Sequence, residues 1–88
     1  MAVTLDGRYG VDPQVAIRPE PFGALCYHYG NRRLSFLRSP ELLEVVRRLD
    51  DAPSLAEALR EAGVAEARWP SFVKALATLE DSEMVHGR

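Results

Sequence analysis

The sequence predicts an α+β fold in which a three-stranded antiparallel sheet is followed by three helices, in the order β-β-β-α-α-α. The chain has 88 residues, which suits one domain with a modest core. Its first half contains short apolar runs separated by Gly, Pro and Asn, which is typical of strands. From Ser39 onward the apolar residues recur at three- and four-residue intervals, which indicates helices. A small sheet with three helices can form a winged helix-turn-helix arrangement.

The domain is expected over residues 14–85. Residues 1–13 contain two glycines and no apolar periodicity, so they are predicted to form a loose N-terminal arm with little structure of its own. Residues 15–18 are the first predicted strand. Two prolines follow it closely, so this strand either lies at a sheet edge or ends in a wide turn.

Residues 24–29 form the second predicted strand, which is rich in aromatic side chains. Gly30 and Asn31 then supply turn chemistry at the right place for a hairpin. The third predicted strand covers residues 32–38. Three strands at such short spacing predict an antiparallel meander.

The first helix is predicted to begin at Ser39 and Pro40, a good N-cap followed by proline at the first helical position. In the second helix, Ser54 and Glu57 match a capping box, and Gly63 is suited to a left-handed C-terminal cap. The third helix is predicted to begin near Pro70 and to end near residue 82. Residues 84 and 85 are expected to fold back onto the core, and the last residues to fray.

The sequence offers no catalytic constellation, so a non-enzymatic protein without a cofactor is predicted. His28 and His86 are isolated from one another in sequence, and no spacing suits a metal site. Cys26 lies within an apolar strand, where an inert thiol is expected. Asp50 and Asp51 resemble a carboxylate pair, but a solvated helix end explains them better.

Bulk properties give no reason to expect binding to nucleic acid or to a membrane. The formal net charge is −2, and no apolar stretch approaches the roughly 20 residues that span a bilayer. The N-terminus does not resemble a signal peptide. A single cysteine excludes an internal disulfide framework, so a cytoplasmic location is expected.

The third predicted strand is the main candidate for a binding site. A strand at the edge of a sheet leaves backbone N–H and C=O groups for a second chain to pair with. Arg32, Arg33 and Arg38 add positive charge in an acidic chain, which favours an acidic peptide. Leu34 and Phe36 are assigned to the core and Leu37 to the boundary, although a shift of one residue would exchange the two faces. A charged edge that only prevents aggregation is the alternative.

In the third predicted helix, the apolar residues Trp69, Phe72, Val73 and Leu76 are either core residues or walls of a groove. Trp69, directly before Pro70, is predicted to be an exposed aromatic contact.

Three segments resemble the mycofactocin peptide chaperone family, one of the PqqD-like RiPP precursor recognition elements. They are residues 15–25, 27–30 and 33–37, and residues 75–79 also fit. The resemblance implies a winged-helix-like domain that binds an acidic precursor peptide as an added antiparallel strand and presents it to a radical S-adenosylmethionine (SAM) maturase. Iron–sulfur clusters and the cofactor would belong to that enzyme.

Carried over to this chain, the family's groove between the third strand and the third helix implies a set of peptide-contacting residues: Arg32, Arg33, Leu34, Ser35, Phe36, Leu37, Arg38, Trp69, Phe72, Val73 and Leu76. The surface for the enzyme would be either the open face of the sheet, with Tyr27 and Tyr29, or the first helix, with Arg47 and Arg48.

Two alternatives stay open. A winged-helix DNA-binding regulator is disfavoured because the third helix offers Lys74 as its one cation, or Arg68 as well if it begins early, and ends in acidic residues. A small dimerisation module is also possible, because an open strand edge can pair with its own copy. The oligomeric state is therefore predicted as monomer or weak homodimer.

Overall fold

A computed structural model describes residues 3–88 and has an α+β fold with a three-stranded antiparallel sheet and three helices. The sheet is formed, in spatial order, by β2 (Val15–Glu20), β3 (Gly23–His28) and β4 (Leu34–Leu37), while β1 (Tyr9–Val11) and β5 (Val85–Gly87) form a separate two-stranded ribbon. The helices are α1 (Pro40–Arg48), α2 (Leu55–Glu61) and α3 (Trp69–Asp81), and a 3-10 turn at Glu66–Arg68 precedes α3. No helix among these residues is long and apolar enough to cross a membrane.

The ribbon of β1 and β5 corrects the prediction of a loose arm. Tyr9 pairs with Gly87 in an antiparallel register, and the Tyr9 ring is buried. The Tyr9 hydroxyl accepts a hydrogen bond from the backbone N–H of Thr4 at 2.8 Å. The carbonyl of Gly7 accepts the N–H of Leu55 at 2.9 Å, at the start of α2. Residues 3–13 are therefore part of the packed domain, because they supply core surface and satisfy helix donors, while the first two residues of the predicted arm lie outside the described residues.

The tail also differs from the expected fraying. Met84 and Val85 are buried, as their predicted return to the core requires. Beyond them β5 continues to Gly87, and the N–H of Arg88 reaches the carbonyl of Arg8 at 2.8 Å. Both unpredicted strands have three residues, which is too short for an alternating pattern to be recognised.

The helix boundaries follow the predicted caps. Ser39 accepts the N–H of Leu42 at 3.1 Å at the start of α1. Ser54 likewise accepts the N–H of Glu57 at 3.2 Å at the start of α2, although the Glu57 carboxylate pairs with Arg60. Gly63 then adopts a φ of +78°, the left-handed conformation that ends the helix.

The strand β2 extends through Pro19 because it is an edge strand, pairing with β3 alone among the described residues, and Pro21 lies in the turn that follows it. Its turn into β3 requires glycine at position 23, where φ is +148° and a Cβ would lie 2.0 Å from the carbonyl oxygen of Leu37. Side chains from the sheet and all three helices share one core, and its fully buried members include Leu37, Val45, Leu55, Leu59 and Leu76.

Candidate functional site

The outer edge of β4 is not covered by any strand of residues 3–88, since β4 pairs with β3 alone and the two chain ends pair with each other. The N–H of His28 donates to the carbonyl of Arg33 at 3.0 Å, which fixes the ladder at the turn. Hydrogen-bonded and non-hydrogen-bonded pairs alternate along an antiparallel ladder. The backbone groups of Leu34 and Phe36 therefore point outward, and we call them the open edge.

The side chains of β4 lie on the faces opposite to those predicted. Leu37 is fully buried and packs opposite Ala24, whereas Leu34 is 55% exposed and Phe36 is 56% exposed. The assignment of Leu34 and Phe36 to the core, with Leu37 at the boundary, is therefore wrong. The strand carries apolar residues on both faces, so alternation alone could not decide which face is buried.

A groove runs between β4 and α3, directly beside the open edge. Its volume is about 470 Å³. Its lining comes from β4 and the residue after it, from α1 and from α3: Leu34, Ser35, Phe36, Arg38, Leu42, Ala75, Thr78 and Leu79. We call it the main groove. A smaller hollow of about 170 Å³, the side hollow, shares Leu42 and Ala75 with it and extends to Arg68.

Three of the four α3 residues predicted for the groove belong chiefly to the core. Trp69 is only 7% exposed, and its Nε1–H donates to the carbonyl of Val64 at 2.9 Å, so the prediction of an exposed aromatic contact is wrong. Leu76 and Phe72 are buried as well, although Phe72 also lines the side hollow. Val73 is partly buried against the core.

The residues of α3 that line the main groove were missed. Ala75 and Thr78 belong to a row of small side chains that continues with Ser71 and Ser82, at spacings of four, three and four. These spacings place them on one helical face, beside the apolar stripe. This row is the sequence signal that would have located the groove wall, because small side chains let another backbone approach closely.

Polar contacts join β4 to the end of α3 at the turn side of the groove. The hydroxyls of Ser35 and Ser82 lie 3.2 Å apart, and Asn31 Nδ2 donates to the carbonyl of Ser82 at 3.2 Å. Arg33 donates to the carbonyl of Asp81 at 3.2 Å. Together these contacts hold the two walls of the groove at a fixed separation at this end.

The predicted arginines occupy different environments. Arg32 is exposed and ends the β3–β4 turn with a φ of +63°, while Arg33 reaches across to α3. Arg38 lines the main groove and Arg68 lines the side hollow. Arg38 and Arg68 therefore bring positive charge to the main groove and the side hollow, and Arg68 is an arginine that the prediction did not include.

A second surface lies on the face of the sheet that points away from the core. Leu25 pairs with Phe36 and Tyr27 with Leu34, so these side chains share one face. Phe22 packs edge-to-face on Phe36 with ring centroids 6.1 Å apart. Tyr29, which is 65% exposed, packs on Tyr27 in the same way at 5.2 Å. We call this apolar surface the open face.

Among the described residues, no Cys, His, Asp or Glu side chain lines the main groove. Burial raises the pKa of the Cys26 thiol to about 11, as expected for an inert core cysteine. Within residues 3–88 no group of three or more His, Cys, Asp or Glu side chains could hold a metal ion. The geometry suits the binding of an extended chain.

Comparison with known proteins identifies one family. The model of the peptide chaperone MftB family matches residues 8–86. The chain is 46% identical over 80 residues to Peptide chaperone MftB of Mycobacterium tuberculosis, covering 91% of this chain and 73% of that protein. It is 50% identical over 72 residues to Peptide chaperone MftB of Mycolicibacterium smegmatis, covering 82% of this chain and 71% of that protein. No solved structure matches the chain.

Proposed function

Because the chain belongs to the peptide chaperone MftB family of non-catalytic accessory proteins in mycofactocin biosynthesis, we propose that it binds the mycofactocin precursor peptide by strand addition along β4 and presents it to a radical SAM maturase. The observation that carries this proposal is the open edge of β4 with a groove beside it. An extended peptide that adds to the sheet obtains its hydrogen bonds from the backbone and its specificity from pockets for alternate side chains.

The peptide strand in this proposal pairs with the outward N–H and C=O groups of Leu34 and Phe36. Its side chains alternate between two environments. One set enters the main groove against Ala75 and Thr78, and the other lies on the open face next to Leu34 and Phe36. The exposed apolar side chains of β4, which a purely structural strand would not need, thereby gain a role.

Arginines at both ends of β4 favour an acidic peptide. Arg38 lines the main groove, and Arg32 and Arg33 directly precede β4, in a chain whose formal net charge is −2. Each exposed pair contributes little by itself, so the electrostatic contribution is cumulative and sensitive to salt. Backbone pairing supplies the register, and the arginines supply attraction and orientation.

The open face is the better of the two candidate surfaces for the maturase. It presents apolar side chains to solvent, including Tyr29 and Phe22. The alternative surface on α1 carries Arg47 and Arg48, which both lie 3.7 Å from the carboxylate of Glu44. Their charges are thus partly compensated within the helix.

We also propose that the domain is winged helix-like and lies in the cytoplasm. It is a monomer or a weak homodimer in this proposal.

A proline substitution on the open edge tests strand addition. Phe36→Pro removes the outward N–H, which the sheet itself does not use, and edge strands accept proline at such positions. Phe36→Ala removes the side chain and keeps the N–H, so it is the matched control. We expect Phe36→Pro to bind the precursor peptide about three- to tenfold more weakly than Phe36→Ala, as the loss of about one backbone hydrogen bond implies.

Isothermal titration measures both affinities, and circular dichroism verifies that both variants are folded. Equal affinities in the two variants would contradict pairing at β4. The electrostatic part is tested separately with an Arg32/Arg33/Arg38→Ala variant at low and moderate salt, where we expect weaker binding and a smaller salt dependence. If the affinity of this variant is unchanged, the electrostatic part of the proposal is wrong, and strand addition at β4 still stands.

A further inference from the structure

The side hollow contains a positive group, Arg68, which is already paired with a carboxylate of the same chain. Arg68 directs both terminal nitrogens at the carboxylate of Glu41, with distances of 2.6 and 2.8 Å. Its guanidinium carbon also lies 5.4 Å from the centre of the Phe72 ring. Arg68 and Phe72 line the side hollow, which continues into the main groove through Leu42 and Ala75.

We propose that Arg68 is a carboxylate-binding subsite of the groove, which Glu41 fills in the free protein and which an acidic side chain of the bound peptide takes over. This inference rests on the proposed function, because it requires an extended peptide in the groove. The subsite sets specificity: it favours a peptide with Asp or Glu at the position that reaches the side hollow.

The geometry suits an exchange of one carboxylate for another. A guanidinium group binds both oxygens of a carboxylate in one plane, and the ring beneath it restricts its orientation. The incoming carboxylate would make the same two hydrogen bonds that Glu41 makes now, so Arg68 loses no partner. Both side chains are about half exposed, at 50% for Arg68 and 44% for Glu41, so an outside carboxylate can reach the pair.

Glu41 remains stabilised after it has been displaced. It lies in the first turn of α1, where the helix dipole favours negative charge. The negative charge of the displaced Glu41 stays close to the incoming carboxylate and weakens its binding by electrostatic repulsion. The hydrogen bond from Arg68 lowers the pKa of Glu41 below its ordinary value of 4.5, so Glu41 is ionised at neutral pH and acts as a competitor.

A second pair of the same kind provides an internal control. Arg60 contacts the carboxylate of Glu57, and its guanidinium carbon lies 5.4 Å from the centre of the Trp69 ring. This pair is also exposed and also joins an arginine to an aromatic ring. It lies outside the residues that line the main groove and the side hollow.

The experiment titrates the precursor peptide against the full chain and four variants: Glu41→Gln, Arg68→Gln, Arg68→Lys and the control Glu57→Gln. A second peptide has every Asp and Glu replaced by Asn and Gln. We expect Glu41→Gln to bind the acidic peptide about two- to fivefold more tightly, because the competitor has lost its charge. Arg68→Gln and Arg68→Lys should bind it about two- to fivefold more weakly, since lysine cannot replace the two-nitrogen contact.

Glu57→Gln should leave the affinity unchanged, and the Glu41→Gln effect should disappear with the amidated peptide. A wild-type chain that binds neither peptide would overturn the proposed function, and the subsite with it. Binding that is equal in the wild type and in all the Glu41 and Arg68 variants would overturn the subsite and leave the groove intact. If Glu41→Gln and Glu57→Gln change the affinity equally, the effect comes from the net charge of the protein, and the subsite is likewise overturned.

Discussion

Asp12 connects the ribbon of β1 and β5 to the β3–β4 turn through its carboxylate. One oxygen lies 2.6 Å from Nε2 of His86 on β5 and 3.5 Å from Nε2 of the buried His28. The other accepts the N–H of Gln14 at 2.7 Å. His28 in turn accepts two backbone N–H groups of the turn on Nδ1, from Gly30 and Asn31. The turn that precedes the open edge is therefore braced by polar contacts that meet at the buried ring of His28.

The first prediction concerns the pH dependence of this brace. The hydrogen bond from the Gln14 backbone, and then that from His86, lowers the pKa of Asp12 below its ordinary value of 3.8. A group whose pKa is lower in the folded state contributes stability above its unfolded pKa and loses it as the pH falls through the folded pKa. Asp12→Asn should therefore lower the melting temperature at pH 7, and the difference from the wild type should shrink at pH values below about 4.

Thermal melts of both proteins at a series of pH values between neutral and acidic measure the effect. The exposed Asp51→Asn variant is the control, and its curve should run close to that of the wild type. A wild type and an Asp12→Asn variant that differ equally at acidic and neutral pH would show that the carboxylate charge has no part in the brace.

Residue-level prediction from the sequence succeeded where local chemistry decides the outcome. Ser39 and Gly63 have the backbone roles predicted for them because caps depend on neighbouring residues. It failed where three-dimensional packing decides. The alternation around Leu37 fits either face, and whether Trp69 is buried depends on the distant carbonyl of Val64. Neither outcome is encoded in a window of a few residues.

Two helices end with a residue in the left-handed conformation, but only one of these residues is glycine. Gly63 follows α2 with a φ of +78°, and Glu83 follows α3 with a φ of +63°. In both cases the next N–H reaches back to the helix, from Val64 to Leu59 at 3.0 Å and from Met84 to Leu79 at 2.8 Å. A side chain in this conformation is strained, so α3 ends at some cost in stability.

The second prediction follows from this difference. Glu83→Gly should raise the free energy of unfolding by about 1 kcal/mol, because it removes the strain. Gly63→Ala should lower it by about the same amount, since a Cβ there meets nothing within 4 Å and the cost is conformational alone. Urea denaturation measures both changes. A Glu83→Gly variant no more stable than the wild type would contradict the argument.

The longer elements, and those with clear capping or turn residues, could be predicted from the sequence, whereas the shortest strands could not. All three helices and the three-stranded sheet could be recognised because each has a repeated period or a turn signal. The strands β1 and β5 could not, because their pairing joins residues 9–11 to residues 85–87 across nearly the whole sequence. Such contacts leave no local signature.

On the scale of the whole molecule, the open face is large enough for a contact but small for a stable dimer. Its most exposed side chains, Phe22, Tyr29, Leu34 and Phe36, present roughly 400 Å² in total, given aromatic side chains of about 200 Å². A standard interface buries about 800 Å² on each partner. We therefore expect a monomer at micromolar concentration, which light scattering with and without peptide can verify.

The third prediction separates the two candidate enzyme surfaces. A Phe22→Ser/Tyr29→Ser variant should bind the maturase about tenfold more weakly or worse, because exposed aromatic side chains dominate such contacts. Its affinity for the precursor peptide should fall much less, because neither residue lines the main groove. An Arg47→Ala/Arg48→Ala variant on α1 is the matched control and should bind the maturase as the wild type does. Biolayer interferometry measures the affinity of each variant for the maturase. If the α1 variant binds more weakly and the open-face variant binds as the wild type does, the maturase contacts α1 instead.

The pairing of β1 with β5 has a kinetic consequence. Because both ends of the described chain are engaged with each other, none of its segments has to leave β4 before a guest strand enters. Association should then be a single encounter without a preceding isomerisation. In stopped-flow fluorescence, the observed rate constant should rise linearly with peptide concentration, whereas a plateau would reveal a segment of the chain that must first leave β4.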